Sequence, residues 1–312
     1  MNTTCPYCHC ITIKANGTRN SKQRFRCLNP NCRKCWTKNN KLSKQKVWRK
    51  FLEGYQVDEL ACYHRVSEKT ISRIIKSIPD VTWREASNPE QVQVVIIDAT
   101  YWGWTCAEMV AMDAWTGQIL YCLRLSAKET IADYVCVLAN LSKLGYTGIR
   151  VVVTDGRPGV GNLVESLGLL YQKCQFHQIK TVIKYLTSKP KLKPNWQLLV
   201  ITKLMTQVDK KTFQTLLNKW YEYNQEWLKE QTILPDGKKQ FIHRKTRSAY
   251  NSLSRNLSAL FVFRDFPSLH IPNTTNKLEG MFGNIKPIIA IHRGIHRNTK
   301  LKAFEYLCLE SR

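Results

Sequence analysis

The chain has 312 residues, 43% of them hydrophobic, and its 48 lysines and arginines outnumber its 23 aspartates and glutamates by 25. This length and apolar content suffice for one large core or several small ones. No apolar run reaches the roughly 18 residues of a transmembrane helix, and the first residues lack the charged and apolar regions of a signal peptide. The charge excess predicts a nucleic-acid partner, and the lack of a long apolar run predicts no membrane association.

The first 40 residues carry short cysteine pairs that predict a zinc ribbon. Clustered cysteines in a reducing cytosol indicate a metal site rather than disulfides. Cys5 and Cys8 form a Cys-x-x-Cys knuckle, and Cys27 follows 19 residues after Cys8. Two such pairs can close one tetrahedral Zn²⁺ site. Both Cys32 and Cys35 fit as the fourth ligand; we favour Cys32, because Arg24–Cys27 has the pattern of a strand entering the second knuckle.

A β-hairpin is expected between the two cysteine pairs. Thr12–Lys14 and Gln23–Arg26 have strand composition, and Asn16-Gly17 is a typical hairpin turn.

Residues 41–80 predict a helix-turn-helix domain. Trp48–Tyr55 has helical spacing, a second helix begins at Val57, and Ser67 is a suitable N-cap for a third. The apolar stripe of that third helix faces inward, and its opposite face could enter a DNA major groove. The residues expected to contact DNA there are Lys69, Ser72, Arg73 and Lys76. A plain helical hairpin is the alternative.

The block from residue 92 predicts an α/β fold. Strands are expected at Val92–Asp98, Thr105–Asp113 and Gln118–Leu125, followed by a helix at Lys128–Leu144 and a strand ending at Asp155. This βββαβ order matches the ribonuclease-H-like arrangement, in which the first and fourth strands are central neighbours.

Three acids in this part of the chain form a candidate metal site. Asp98 and Asp155 each follow an apolar, β-branched run, so we expect both at strand ends, side by side. Glu279 follows Thr274-Thr275-Asn276, a composition typical of a helix start, which places it in the first turns of a helix. Three carboxylates of this kind can hold two divalent ions about 4 Å apart, the arrangement that cuts phosphodiesters. Each aspartate could instead simply end a strand at the surface.

Two further features lie between Asp155 and Glu279. Cys174 and His177 follow a fifth strand at a spacing that could serve a metal, although a packed cysteine and a hydrogen-bonded histidine are equally compatible. Residues 187–260 have helical spacing, and five aromatic residues lie among their lysines and arginines. These aromatics either stack on unpaired bases or form the core of a helical subdomain: Trp196, Trp220, Tyr221, Tyr223 and Trp227.

Together these motifs resemble the Mutator-like group of DDE transposases. Asp98, Asp155, the Cys174-x-x-His177 pair and Asn276-x-x-Glu279 occur in the order of that group's signature, with a helical insertion before the glutamate. The resemblance covers residues 92–186 and 272–300. The zinc ribbon and helix-turn-helix also resemble the N-terminal region of bacterial insertion-sequence transposases, although the Cys27-x4-Cys32 spacing departs from the usual two-residue gap.

The resemblance implies a DNA transposase that binds the terminal inverted repeats of a mobile element, cleaves DNA and joins a 3′-hydroxyl to target DNA. It implies two Mg²⁺ (or Mn²⁺) ions on the three acids, one Zn²⁺ in the ribbon, and Cys174, His177 and Asn276 as accessory residues. It also implies a homodimer or higher assembly on double-stranded DNA, in a bacterial cytoplasm at the nucleoid. Basic residues expected near the active site are Lys286, Arg293 and Arg297.

The expected organisation is a ribonuclease-H-like catalytic core with an all-helical insertion, preceded by two small domains. The boundaries are 1–40 (zinc ribbon), 41–80 (helix-turn-helix), 81–90 (linker), 91–186 (first part of the core), 187–270 (insertion) and 271–312 (completion of the core).

Three other functions remain open. The chain could be a DNA-binding regulator with an inactive core, or a metal-dependent nuclease without strand transfer. A recombinase with a protein nucleophile would need an arginine cluster such as Arg293 and Arg297 with Tyr306.

Overall fold

The computed structural model describes residues 4–19, 22–37, 42–84, 88–102, 106–292 and 294–310. The chain divides into two compact units. One comprises Met1–Phe51 with Val57–Ile78, and the other comprises Leu52–Gln56 with Pro79–Arg312. No helix in the described ranges is both long enough and apolar enough to cross a membrane.

The first unit contains a three-stranded antiparallel sheet, in the order β1-β2-β3, and three helices. The third strand was not expected; it pairs Trp36 with Phe25 of β2, and the two rings stack. The elements are β1 (Ile13–Arg19), β2 (Lys22–Cys27), β3 (Cys35–Thr37), α1 (Lys44–Leu52), α2 (Val57–His64) and α3 (Glu68–Lys76).

The expected turn at Asn16-Gly17 is wrong. Both residues lie inside β1, where the register with β2 shifts between Ala15 and Thr18. Gly17 has a φ of +68° there. An extra residue in one strand of an antiparallel pair needs such a backbone, so glycine marks a bulge at this position and not a hairpin turn.

Helix α3 begins as its sequence indicates. The Ser67 side chain accepts a hydrogen bond from the backbone N–H of Thr70, and Ile71 and Ile75 are buried. The opposite side of α3 exposes Lys69, Arg73 and Lys76, with Ser72 half-buried.

The second unit is built on a five-stranded mixed sheet with the strand order β6-β5-β4-β7-β8. β4, β5 and β6 are antiparallel neighbours, whereas β7 runs parallel to β4 and β8 parallel to β7. The expected α/β class is therefore confirmed. The strands and intervening helices are β4 (Val94–Trp102), β5 (Cys106–Asp113), β6 (Ile119–Leu125), α4 (Ile131–Lys143), β7 (Val151–Thr154), α5 (Val160–Ser166) and β8 (Leu170–Lys173).

The core explains why β4 is apolar on both faces. Val95 and Ile97 pack in one cluster with Tyr134, Val137 and Leu141 of α4, and all five side chains are fully or almost fully buried. Strands covered on both faces have continuous apolar runs of this kind. Helix α4 starts at Thr130, whose backbone N–H donates to the carboxylate of Asp133 at 2.7 Å.

The remaining elements follow β8. They are α6 (Gln175–Leu186), α7 (Lys193–Leu204), α8 (Lys210–Lys229), β9 (Gln231–Ile233), β10 (Lys239–Phe241), α9 (Arg244–Leu260), α10 (Val262–Asp265), α11 (Asn276–Ile291) and α12 (Arg297–Glu310). Helices α6 to α9 share a second apolar cluster that includes Phe213, Trp220 and Leu253.

The insertion is not all-helical, which corrects the expectation for residues 187–270. β9 and β10 form a short antiparallel hairpin in which Gln231 pairs with Phe241. The N–H of Gly237, with a φ of +78°, donates to the carbonyl of Leu234. The Pro235-Asp236-Gly237 sequence is a typical turn, and it interrupts the helical pattern at this point.

Candidate functional site

Four cysteines of the first unit form a cluster that can hold a metal ion. The sulfur atoms of Cys5, Cys8, Cys27 and Cys32 all lie within 4.8 Å of one another. Cys35 is outside the cluster and accepts a hydrogen bond from the Asn16 side chain. Four soft sulfur donors in a closed arrangement fit a structural Zn²⁺ site. The structure therefore favours Cys32, and not Cys35, as the fourth ligand.

The second candidate site lies at one edge of the parallel part of the large sheet. β4 pairs with β7 through Ile96 and Val153, and continuing this register by two residues brings Asp98 opposite Asp155. Thr154 pairs with Lys173 of β8, so the next residue along, Cys174, continues the same row. The backbone N–H of Cys174 donates to the carbonyl of Thr154 at 2.8 Å.

Asp98 does not end its strand as expected. β4 continues to Trp102 because its antiparallel pairing with β5 extends to the pair Trp102 and Cys106. Only the parallel pairing with β7 stops before Asp98. Asp98 therefore lies inside a strand whose two sides differ, whereas Asp155 directly follows β7.

The Asp98 carboxyl is buried, with 8% of its surface exposed. Burial and the negative charge of Asp155 raise the pKa of Asp98 to about 7. One carboxylate oxygen accepts a hydrogen bond from the N–H of Ala99 at 2.8 Å. The negative charge of Glu279 also raises the pKa of Asp98, whereas His177 lowers it.

Asp155 is held by the turn that follows it. The backbone N–H of Arg157 donates to its carboxylate, and the Arg157 guanidinium pairs with Glu129 at 3.2 Å. Gly156 has a φ of +95° and lies under the Lys173 side chain, where any Cβ would collide with the Lys173 Cε. Burial, together with the charge of Asp155, raises the pKa of Glu129. The turn is therefore fixed by an ion pair on one side and a lysine stem on the other.

Glu279 lies in the first turn of α11, as expected. Its two carboxylate oxygens lie 3.5 Å from His177 Nε2 and 3.7 Å from Lys180 Nζ. Thr275 precedes the helix, but its hydroxyl does not cap the helix N-terminus. That hydroxyl instead lies 3.4 Å from Glu279 Oε1 and 3.6 Å from Cys174 Sγ.

Cys174 and His177 contact the same threonine. Cys174 is fully buried, and His177 Nδ1 lies 3.5 Å from the Thr275 hydroxyl. Burial opposes ionisation of Cys174, but its hydrogen bonds with His177 lower the pKa of the thiol. The hydrogen bond with Cys174 in turn raises the pKa of His177. The pair links the end of β8 to the start of α11 and lies against one of the three acids.

Two buried glutamines bring α11 to the sheet edge. Gln175 accepts a hydrogen bond from the Asn273 side chain and donates to the carbonyl of Leu260 at 3.0 Å. Gln172 accepts from the backbone N–H of Phe263 at 2.9 Å. These bonds attach the end of the helical insertion and the segment before α11 to β8 and α6. Although Glu279 follows Asp155 by 124 positions in the sequence, it thus returns to the sheet edge.

The carboxylate site offers oxygen donors that suit a hard divalent cation. Asp98 is buried, Asp155 and Glu279 are half-buried, and each of the three accepts a local hydrogen bond. Among the described residues, the three acids do not form a metal-sized cluster like that of the four cysteines.

The predicted DNA-contacting residues beyond α3 have different surroundings. Arg297 donates to the carbonyl of Leu125 at 2.9 Å, and Lys286 lies over the Phe282 ring. Asn276 is exposed at the first position of α11. Arg293 lies outside the described residues.

Several residues of the carboxylate site were not predicted from the sequence. Glu129, Lys173 and Lys180 carry no motif of their own. Thr275 was predicted only as part of a helix start. Arg157 follows an aspartate by two residues, a spacing that permits a backbone hydrogen bond back to the carboxylate and could have indicated its role.

Comparisons with known proteins give little further information. No family model matches the chain, and no curated protein matches it. Among solved structures, one match is a chain from the cryo-electron-microscopy structure of the simian T-cell lymphotropic virus intasome in complex with the PP2A regulatory subunit B56 gamma. The identity is 16%, the match covers 68% of this chain and 66% of that chain, and the TM-score is 0.24. A score this low does not establish a shared fold.

Proposed function

We propose that this chain is a DNA transposase of the DDE type, which cleaves strands at the ends of a mobile element and joins them to target DNA. One observation carries the proposal. The strand register brings Asp98 opposite Asp155, and the Thr275 hydroxyl links Glu279 to Cys174, the next residue in that row. Acids from three distant parts of the chain have no structural need to converge, since their mutual repulsion opposes folding.

The sheet supports a ribonuclease-H-like core. Three antiparallel strands, a crossover helix and two parallel strands follow one another in the order that the sequence predicts. In this arrangement β4 and β7 are central neighbours, and Asp98 within β4 continues the register row of Asp155 after β7, which suits two metal-binding aspartates.

Asp98, Asp155 and Glu279 would hold two Mg²⁺ or Mn²⁺ ions. When bound, such ions activate a water or a DNA 3′-hydroxyl and stabilise the leaving oxygen. The protein residues supply position and charge: Arg157 and Glu129 fix the turn that bears Asp155, while Thr275, His177 and Lys180 hold the Glu279 carboxylate. We assign no nucleophilic side chain.

The first unit would recognise the element ends. Residues 1–80 contain 17 basic and 5 acidic side chains, and the basic face of α3 suits a helix-turn-helix that enters a major groove. The four-cysteine cluster would hold the Zn²⁺ of a ribbon. Since two ends must be brought together, at least a dimer on DNA follows, within a bacterial cytoplasm.

The test is an assay of the full chain on linear DNA that ends in the inverted repeats flanking its own gene. With Mg²⁺ we expect nicks at the repeat ends and joined products on a second DNA; with EDTA we expect binding only. Nicking without joining would show that the chain is a nuclease and not a transposase. Binding without nicking in Mg²⁺ or Mn²⁺ would instead indicate a DNA-binding regulator.

A further inference from the structure

A long segment next to the carboxylate site contains no acid. Between Glu165 and Asp209 the chain has seven lysines and neither aspartate nor glutamate. The segment includes β8, α6 and the whole of α7. Its lysines are Lys173, Lys180, Lys184, Lys189, Lys191, Lys193 and Lys203, and all except Lys173 are exposed. Such a surface attracts a polyanion.

One exposed side of α6 leads away from Glu279. Phe176, Lys180 and Lys184 are spaced four residues apart, so they lie along one face of the helix. Lys180 Nζ lies 4.1 Å from the centre of the Phe176 ring and 3.7 Å from Glu279 Oε2. The row therefore starts at the carboxylate site and runs towards the C-terminal end of α6.

A cleft of about 280 Å³ follows the end of this row. Trp196, Leu199 and Val200 of α7 provide its apolar wall, and the other lining residues come from the segment after α6 and from α7: Ser188, Lys189, Pro190 and Lys203. Trp196 is 56% exposed. An indole wall flanked by two lysines combines a stacking surface with phosphate-binding charges.

Packing does not explain the exposed indole. The buried side of α7 is formed by Leu198, Leu199 and Thr202. The tryptophan that fills the adjacent core is Trp220, which is 5% exposed and donates its indole N–H to the carbonyl of Pro194.

The size of the cleft selects one nucleotide rather than a duplex. Its volume of about 280 Å³ lies just below the range of small-ligand sites, about 300–1,000 Å³. Bases inside a duplex have both faces stacked, so only an unpaired base can lie against Trp196. From His177 to the end of α6 the helix rises about 14 Å, so the cleft and the carboxylate site are within reach of one short strand.

We propose that the cleft at Trp196 binds one unpaired base of a DNA strand whose phosphates follow the lysines of α6 to the carboxylate site. The binding itself follows from the cleft and its charge, whereas the role near the cut bond rests on the proposed function. Stacking on Trp196 would hold the strand a few nucleotides from that bond.

The experiment measures binding of single-stranded oligothymidine of about 10 nucleotides, a usual single-strand site size. The full chain is used in EDTA, so that no cutting is required. We expect Trp196→Ala to weaken binding about 5- to 100-fold, the range for losing one stacked base. Trp196→Phe should retain most of the affinity. Tyr223→Ala is the matched control, because Tyr223 is 82% exposed on α8 and does not line the cleft.

Photo-crosslinking with iodouracil in the same oligonucleotide locates the contact. We expect the crosslink on the peptide that contains Trp196. Equal affinity of wild type and Trp196→Ala, equal losses in Trp196→Ala and Tyr223→Ala, or crosslinks confined to residues 1–80 would overturn the proposal. If the wild type never cuts DNA but the binding results hold, the proposed function fails and the cleft assignment stands. If cutting occurs and Trp196→Ala binds normally, only the cleft assignment fails.

Discussion

Ionisation of the buried Asp98 carboxyl lowers the free energy of unfolding of the chain. Its carboxyl is almost fully buried, and Asp155 is the nearest negative charge in its register row. Between pH 3.8 and about 7, the Asp98 carboxyl keeps its proton in the folded chain but loses it in the unfolded chain. Stability contributed by the protonated form is therefore lost as the pH rises from about 4 to 7.

Asp98→Asn removes this titration. We expect the variant to gain stability over wild type as the pH rises between about 4 and 7, with a constant gain above pH 7 in metal-free buffer. Thermal unfolding at several pH values measures the gain. A gain that is largest at acidic pH would contradict the buried, proton-binding state of Asp98.

Arg157 should act as a positioning residue for Asp155. Removing its guanidinium leaves Glu129 buried without its partner and frees the turn. We expect Arg157→Ala to lower Mg²⁺-dependent cleavage about 10- to 100-fold, as for other changes next to a metal ligand, and to raise the Mg²⁺ concentration needed for half-maximal rate. DNA binding should not change. The control is Arg150→Ala, because Arg150 is an exposed arginine before β7. Unchanged cleavage and unchanged Mg²⁺ dependence in Arg157→Ala would refute the positioning role.

At the scale of elements, we expect the small sheet of the first unit to depend on a bound metal ion. A three-stranded sheet of this size has little apolar core, so four thiolates on one ion should supply much of its stability. We expect Cys32→Ser to lose bound zinc and to weaken DNA binding, and Cys35→Ser to keep both. Zinc content by mass spectrometry measures the difference. Zinc loss in Cys35→Ser with retention in Cys32→Ser would show that the ligand assignment is wrong.

Local sequence signals predicted most elements of the sheet. Apolar β-branched runs located β4 and β7, Ser67 located the start of α3, and Thr275 the start of α11. The wrong predictions occur where one local sequence pattern is compatible with two different structures. Gly17 permits both a hairpin turn and a bulge, and Pro235-Asp236-Gly237 suits both a helix connection and a hairpin.

The site was predictable only in part, for a related reason. Asp98, Asp155 and Glu279 carry strand-end and helix-start patterns that a sequence can show. Glu129 and Arg157 meet through the tertiary pairing of two loops, and Lys173 reaches Gly156 across neighbouring strands. Such contacts leave no periodic pattern in the chain, so they become visible only in the folded arrangement.

At the scale of the whole molecule, positive charge is spread over both units. Residues 1–80 carry an excess of 12 positive charges out of the total of 25, which leaves 13 for the remainder. If residues 1–80 made the only contact with DNA, DNA binding would not require the excess positive charge of the remainder. The acid-free segment around α6 accounts for seven lysines of it and adjoins the carboxylate site. Under the proposed function, DNA recognition and DNA cleavage would use separate basic surfaces.

The most direct test of the central claim compares cleavage of element-end DNA in Mg²⁺ by wild type and by three isosteric variants, Asp98→Asn, Asp155→Asn and Glu279→Gln. Glu165→Gln, an exposed acid on α5, is the control. We predict that each of the three variants binds the DNA but cuts it more than about 100-fold more slowly, beyond the loss typical of residues that only support a ligand. The control should cut at the wild-type rate. Cleavage at the wild-type rate by any one of the three would show that its carboxylate is not part of the metal site.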